Sequence, residues 1–175
     1  MKSDTQDIRV ITLDAAEAAR GMAISESRFV EILSDGRAIS RFTEDYACKL
    51  YDLTPKPVNH KGSDAEGSGG TNYSVKTLTR NGTAVRLSSN TGVSRSCTYE
   101  NVKQFIKSVA VHIFVDNTEF PELRFISVYS AVLLDWLHSG ILGRDNGQIS
   151  YKKFYATEEI RARERKNYDE KLRRV

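Results

Sequence analysis

The 175-residue chain has only two cysteines, three histidines and three prolines, and each shortage removes a class of protein. Cys48 and Cys97 stand apart with no CxxC spacing, so neither a disulfide framework nor a zinc cluster has the ligands it needs. Reduced thiols in a cytoplasmic setting are the expectation. No apolar run approaches the roughly 20 residues that span a bilayer. The opening Met1-Lys2-Ser3-Asp4-Thr5-Gln6-Asp7 lacks the apolar centre of a signal peptide. A soluble chain with no membrane partner follows, long enough to bury about two-thirds of its unfolded surface in a single domain.

One absence is local. Residues 67–99 contain no Asp or Glu, yet they carry Lys76, Arg80, Arg86 and Arg95 among many Ser, Thr, Asn and Gly. The net charge is only +3, but it is unevenly spread: residues 1–35 are acid-rich, and residues 151–175 hold nine Lys or Arg against five acids. This asymmetry favours a polyanionic partner more than the total does.

Apolar spacing of three and four residues between Leu13 and Leu53 predicts two or three helices, with Ser25 capping the one that carries Phe29 and the prolines at 55 and 57 closing the last. Glu44 and Asp45 ride on that last helix. The period then shortens. Val58-Asn59 reads as a short strand, residues 67–70 as a glycine turn and residues 73–78 as a strand. Asn81-Gly82 is a hairpin signal returning through residues 83–87. After a polar loop, Thr98 caps a helix with Val102, Phe105, Ile106 and Val109 on its apolar stripe. Residues 109–115 and 123–129 read as buried strands, 131–137 as a short helix, 149–154 as a last strand and 157–174 as a charged helix. The order predicts one α/β domain over 1–175, a central mixed sheet flanked by helices, with a helical part at 1–55 and the sheet within 56–155.

Asp64, in Gly62-Ser63-Asp64-Ala65-Glu66, and Lys76, in Tyr73-Ser74-Val75-Lys76-Thr77, sit on segments joined by the glycine turn, so their side chains can converge. A carboxylate that holds Mg²⁺, beside a cation that orients water and offsets developing charge, is what phosphodiester hydrolysis needs. The Val75 carbonyl could complete the metal shell. Arg80, Asn81, Arg86, Ser89, Asn90 and Arg95 suit phosphate anchoring and base-edge hydrogen bonding. His60 reads as a turn residue, His112 as a core histidine, and Trp136 as packing.

Gly62-Ser63-Asp64-Ala65 followed by Tyr73-Ser74-Val75-Lys76-Thr77 resembles the PD-(D/E)xK nuclease superfamily, in particular small type II restriction endonucleases. The surrounding order of helix, strand, strand, helix and strand over residues 36–116 fits loosely as well. The resemblance implies a restriction-endonuclease-like fold, Mg²⁺-dependent cleavage of double-stranded DNA, and a homodimer in which each subunit cuts one strand. Ser63 replaces proline and Ser74 replaces the second acid. The missing carboxylate is then expected from Glu100, Glu44 or Glu66. Without one, the domain would bind DNA and leave it intact.

Overall fold

The computed structural model describes residues 8–34, 36–57, 63–78, 83–87 and 98–157. A strand rich in β-branched residues, β1 (Ile8–Thr12), precedes the helices, so the first 55 residues are not wholly helical. Next come α1 (Ala15–Gly21), α2 (Glu26–Leu33) and α3 (Gly36–Tyr51). Their starts follow capping chemistry: Asp14 Oδ1 accepts the Glu17 N–H at 2.8 Å, and Ser25 Oγ accepts the Arg28 N–H at 3.2 Å.

A meander follows, made of β2 (Thr54–Pro55), β3 (Ala65–Gly67) and β4 (Thr71–Leu78). Gly69 and Gly70, at φ of 72° and 77°, make the β3–β4 turn, a backbone that a side chain at either position would strain. Beyond lie β5 (Thr83–Arg86), α4 (Tyr99–Lys107), β6 (Val111–Asp116), β7 (Glu122–Tyr129), α5 (Ser130–Ser139) and β8 (Gln148–Ser150). The main sheet runs β1-β7-β6-β4-β3-β2. Its β4–β6 pair is parallel and its other pairs antiparallel, so this is an α/β fold with a mixed sheet.

Two expectations change, and a third, the strand at Val58 and Asn59, lies outside the described residues, which show a short strand ahead of it at Thr54–Pro55. The returning strand of the supposed hairpin does not pair with β4: β5 joins β8 in a separate two-stranded sheet. Leu87 accounts for this, because it is buried with the α4–α5 core and its N–H donates to the Gly147 carbonyl at 2.8 Å. The last strand stops at Ser150, and residues 151–157 are helical. Helical spacing lets the Tyr151 and Tyr155 hydroxyls both donate to Asp116 Oδ2, at the end of β6, while Phe154 packs edge-on to Phe114 and Trp136. The expected helix at 157–174 falls almost wholly outside the described residues.

Helices cover both faces of the sheet, which is why every residue of β6 is buried. On one face Val75, Ile113, Val115, Leu123 and Phe125 pack with Phe29, Ile39 and Ala47 of α2 and α3. On the other, Leu78, Phe114, Ile126 and Val128 pack with α4, α5 and Phe154. Alternation along β4 therefore turns Tyr73, Val75 and Thr77 toward α3, where Thr77 Oγ1 meets Thr43 Oγ1 at 3.2 Å. Ser74, Lys76 and Leu78 are left on the α4 side.

Candidate active site

Asp64 is fixed by its backbone before its carboxylate does anything. Its N–H donates to the Tyr73 carbonyl at 2.8 Å, and its own carbonyl accepts the Lys56 N–H at 3.0 Å, so both neighbouring strands of the meander hold it. β3 pairs with β4 only through Thr71–Tyr73. From Ser74 onward this edge of β4 has no strand partner among the described residues, and the Asp64 side chain takes the vacant place. Its Oδ2 accepts the Val75 N–H at 2.7 Å, the Ser74 hydroxyl at 2.9 Å and the Lys76 ammonium at 3.3 Å. Buried polar groups need such partners, and here an acidic side chain and an open strand edge satisfy each other. Asp64 Oδ1 accepts from no described residue, and the Val75 carbonyl shares the Val75 N–H's edge of the strand.

Across the edge, α3 presents Arg41, Glu44, Asp45 and Cys48 at helical spacing to a cavity of about 280 Å³, closed by Pro55, Lys56, Asp64 and Val75. The Glu44 side chain is 25 % exposed and accepts from Arg41 Nη1 at 2.9 Å. Burial and, next, the charge of Asp64 hold its carboxyl above the usual carboxylate range, against the opposing pull of Arg41 and Lys76. Asp64, Glu44 and Asp45 thus line one space, and Lys76 reaches Asp64 from the other face of β4. Burial, followed by Asp45, Glu44 and Asp64, pushes the Cys48 thiol up, which keeps it protonated and unreactive.

Of the residues that the sequence singles out, Asp64, Ser74, Val75, Lys76 and Glu44 come together. Glu66 and Glu100 do not line the cavity. Glu66 is turned to Lys56 at 3.3 Å, and Glu100 stands in the first turn of α4 with a side chain 65 % exposed, 3.8 Å from Lys103. The Arg86 Nε donates to the Asn146 carbonyl at 3.2 Å, tying β5 to the loop before β8. Arg80, Asn81, Ser89, Asn90, Arg95 and His60 lie outside the described residues. His112 sits beside Ser74 in register, fully buried, with burial lowering its pKa to about 4, so it is a neutral core group. Neither of its nitrogens makes a hydrogen bond of normal geometry among the described residues, and the nearby Ile106 carbonyl offsets only part of the burial effect.

Sequence reasoning passes over Lys56 and Arg41, although a lysine between two prolines just ahead of the Gly62-Ser63-Asp64 turn is a visible signal for the first. A second cavity, about 390 Å³ and lined by Tyr99, His138, Arg144 and Asp145, contains none of the expected residues. No protein-family model, curated protein or solved structure matches this chain.

Proposed function

We propose that the protein is a Mg²⁺-dependent endonuclease of double-stranded DNA, of restriction type, acting as a homodimer on a restriction-endonuclease-like scaffold. One observation carries the reading: a carboxylate at an open strand edge, bound by Ser74, the Val75 N–H and Lys76, with Glu44 facing the same cavity. The order α3, β2, β3, β4, β5, α4, β6 contains the succession of helix, strand, strand, helix and strand that the motif resemblance implies, with β2 and β5 in addition, and this supports the reading.

No three Asp, Glu, His or Cys side chains among the described residues form a complete metal shell. Mg²⁺ does not need one, since it is commonly held by one or two carboxylates and keeps waters and substrate oxygens for the rest. Asp64 through Oδ1, which accepts from no described residue, Glu44, and the Val75 carbonyl are the groups that would hold it, and Glu44 takes the part of the acid absent at Ser74. When bound, the ion would supply Lewis acidity at a phosphate oxygen. Lys76, steadied by Asp64, orients the water whose oxygen forms the new P–O bond while the bond from phosphorus to the departing sugar oxygen breaks, and it offsets charge on the phosphoryl oxygens. The water's proton passes to solvent, and the leaving oxygen takes one from solvent. Ser74 uses its hydroxyl to fix the Asp64 rotamer.

The test is incubation of mixed-sequence duplex DNA at low salt with Mg²⁺ or EDTA, with Asp64→Ala and Lys76→Ala alongside. Discrete Mg²⁺-dependent fragments, lost in both variants while a gel shift persists, are the expected result. Full cleavage by Asp64→Ala would remove Asp64 from the chemistry. Intact DNA with a retained shift would leave a binding domain in which Ser74 marks lost catalysis.

A further inference from the structure

Lys56 is among the residues that line the cavity, and its ammonium has two partners among the described residues, Asn72 and Glu66, which are paired across β3 and β4. Its side chain is only 15 % exposed, although lysine is rarely this buried without a purpose. Nζ donates to Asn72 Oδ1 at 2.6 Å and lies 3.3 Å from Glu66 Oε2, and Asn72 Oδ1 also accepts from the Ser63 hydroxyl at 3.4 Å. An ammonium has three donors, so one has no partner among the described residues. The Lys56 N–H, meanwhile, donates to the Asp64 carbonyl, which ties the position of this cation to that of the carboxylate opposite Glu44.

These contacts settle what Glu66 does and leave open what Lys56 serves. A strand-turn lysine needed only for the meander could lie in solvent against Glu66. This one is instead held by Asn72, whose Oδ1 also accepts from the Ser63 hydroxyl, and the residue lines the same space as Asp64 and Glu44. A space lined by the carboxylates of Glu44, Asp45 and Asp64 and by the cations Arg41 and Lys56, the latter with a donor that no described residue takes up, fits a phosphodiester: the acids take the metal side and the lysine a non-bridging oxygen. Lysine serves this purpose as a point charge, without the fork geometry of arginine.

We infer that Lys56 anchors a backbone phosphate of the bound DNA next to the reacting one, with Asn72 and Glu66 as its positioning residues and Glu66 outside the metal shell. The inference rests on the nuclease reading of the same cavity. Binding energy from this contact is present before and during the reaction, so its loss raises KM and leaves kcat near its starting value.

The experiment compares wild type, Lys56→Gln, Lys56→Arg and Glu66→Gln. Readouts are cleavage kinetics, the Mg²⁺ dependence of cleavage, and DNA affinity against salt with Ca²⁺ in place of Mg²⁺. Lys56→Gln is expected to raise KM about tenfold and to reduce the salt slope by about one. Lys56→Arg should recover most of the affinity. A phosphate whose replacement by a neutral methylphosphonate weakens wild type but not Lys56→Gln would locate the contact, and a purely structural lysine would yield no such phosphate. Glu66→Gln lies on an exposed side chain and tests the idea even where the Lys56 variant folds poorly. It should tighten DNA binding about two- to fivefold by releasing the Lys56 charge, with unchanged Mg²⁺ dependence. Unchanged KM and salt slope in Lys56→Gln, or a raised Mg²⁺ requirement in Glu66→Gln, overturns the inference. A wild type that binds DNA without cutting it sinks the nuclease reading, and the salt slopes still decide on Lys56; a wild type that does not bind DNA overturns both.

Discussion

Replacing Glu44 with Gln separates the two helices that compete to supply the second acid. Glu44 is three-quarters buried opposite Asp64, whereas the Glu100 side chain is 65 % exposed and weakly paired. At an effective dielectric of 20, unit charges about 4 Å apart interact by about 4 kcal/mol. Partial exposure and the opposing charge of Arg41 reduce what Glu44 offers a cation to about 3 kcal/mol, roughly a hundredfold in affinity. Glu44→Gln should therefore shift the half-saturating Mg²⁺ for cleavage upward by about that factor, and Glu100→Gln should change it less than about twofold, as for any exposed i,i+3 pair. Stability provides an internal control. The carboxyl of Glu44 is raised by burial and by Asp64, so its ionised form opposes folding: stability present below its unfolded pKa is lost as pH rises through the folded value. Metal-free Glu44→Gln should then melt no lower than wild type at pH 7, and the difference should vanish in acid. A Mg²⁺ titration of initial rates with thermal melts of the same proteins measures both. An unmoved Mg²⁺ requirement in Glu44→Gln, or a large shift in Glu100→Gln, refutes the assignment.

Two further outcomes concern the core behind the site. His112 is neutral in the fold with a pKa of about 4, below its ordinary 6.5, so the unfolded chain binds its proton first and stability falls as pH drops from 6.5 to about 4. The loss reaches about 3 kcal/mol, and a His112→Phe variant followed by urea unfolding at several pH values should show a flatter profile over that window; an equally steep one refutes it. Asp116 is pushed up by burial, but its hydrogen bonds from Tyr155, Thr118 and Tyr151 outweigh this and hold it below the usual range. Its contribution is therefore present above the unfolded pKa and disappears as pH falls through the folded one. Tyr155→Phe removes one hydrogen bond to a charged acceptor, worth about 1.5–3 kcal/mol, and should lower Tm by roughly 3–12 °C at pH 7 for a domain of this size. A calorimetric scan that finds no decrease would mean that the phenol does not pin the helical residues 151–157 to β6.

The legible part of the fold was the part written in local chemistry. Ser25 and Thr98 cap where their oxygens can reach the N–H three residues on. The Gly69-Gly70 turn follows from a backbone few other residues adopt, and residues 111–116 and 122–129 announce themselves by apolar character. The less legible parts depend on long-range partners. β1 carries a strand signal in Ile8-Arg9-Val10-Ile11-Thr12, with four β-branched residues of five, which a helical reading begun at Leu13 leaves aside; its place at the sheet edge comes from β7, with Ile8 paired to Ile126 and Thr12 to Glu122. β5 goes to β8 because Leu87 finds its core there. Residues 151–155 place Tyr151, Phe154 and Tyr155 at helical spacing, a signal that a strand reading begun at Ile149 passes over, and their contacts with Asp116 and Phe114 hold the helix.

The candidate site divides in the same way. By itself the sequence determined that Asp64 and Lys76 lie on neighbouring segments joined by a tight turn, because their spacing and the glycines between them allow little else. It also determined that Ser74 carries no charge. Only the tertiary structure shows which of the glutamates lines the cavity, since 44, 66 and 100 differ in which face of which helix or strand meets the open edge of β4, and no local pattern encodes that. The packing of α3 on β4 brings Glu44 to the cavity, the meander turns Glu66 to Lys56, and α4 leaves Glu100 in solvent. Tertiary structure also brought in Lys56 and Arg41, because a cation's role depends on which carboxylates and which empty space lie within reach of its side chain.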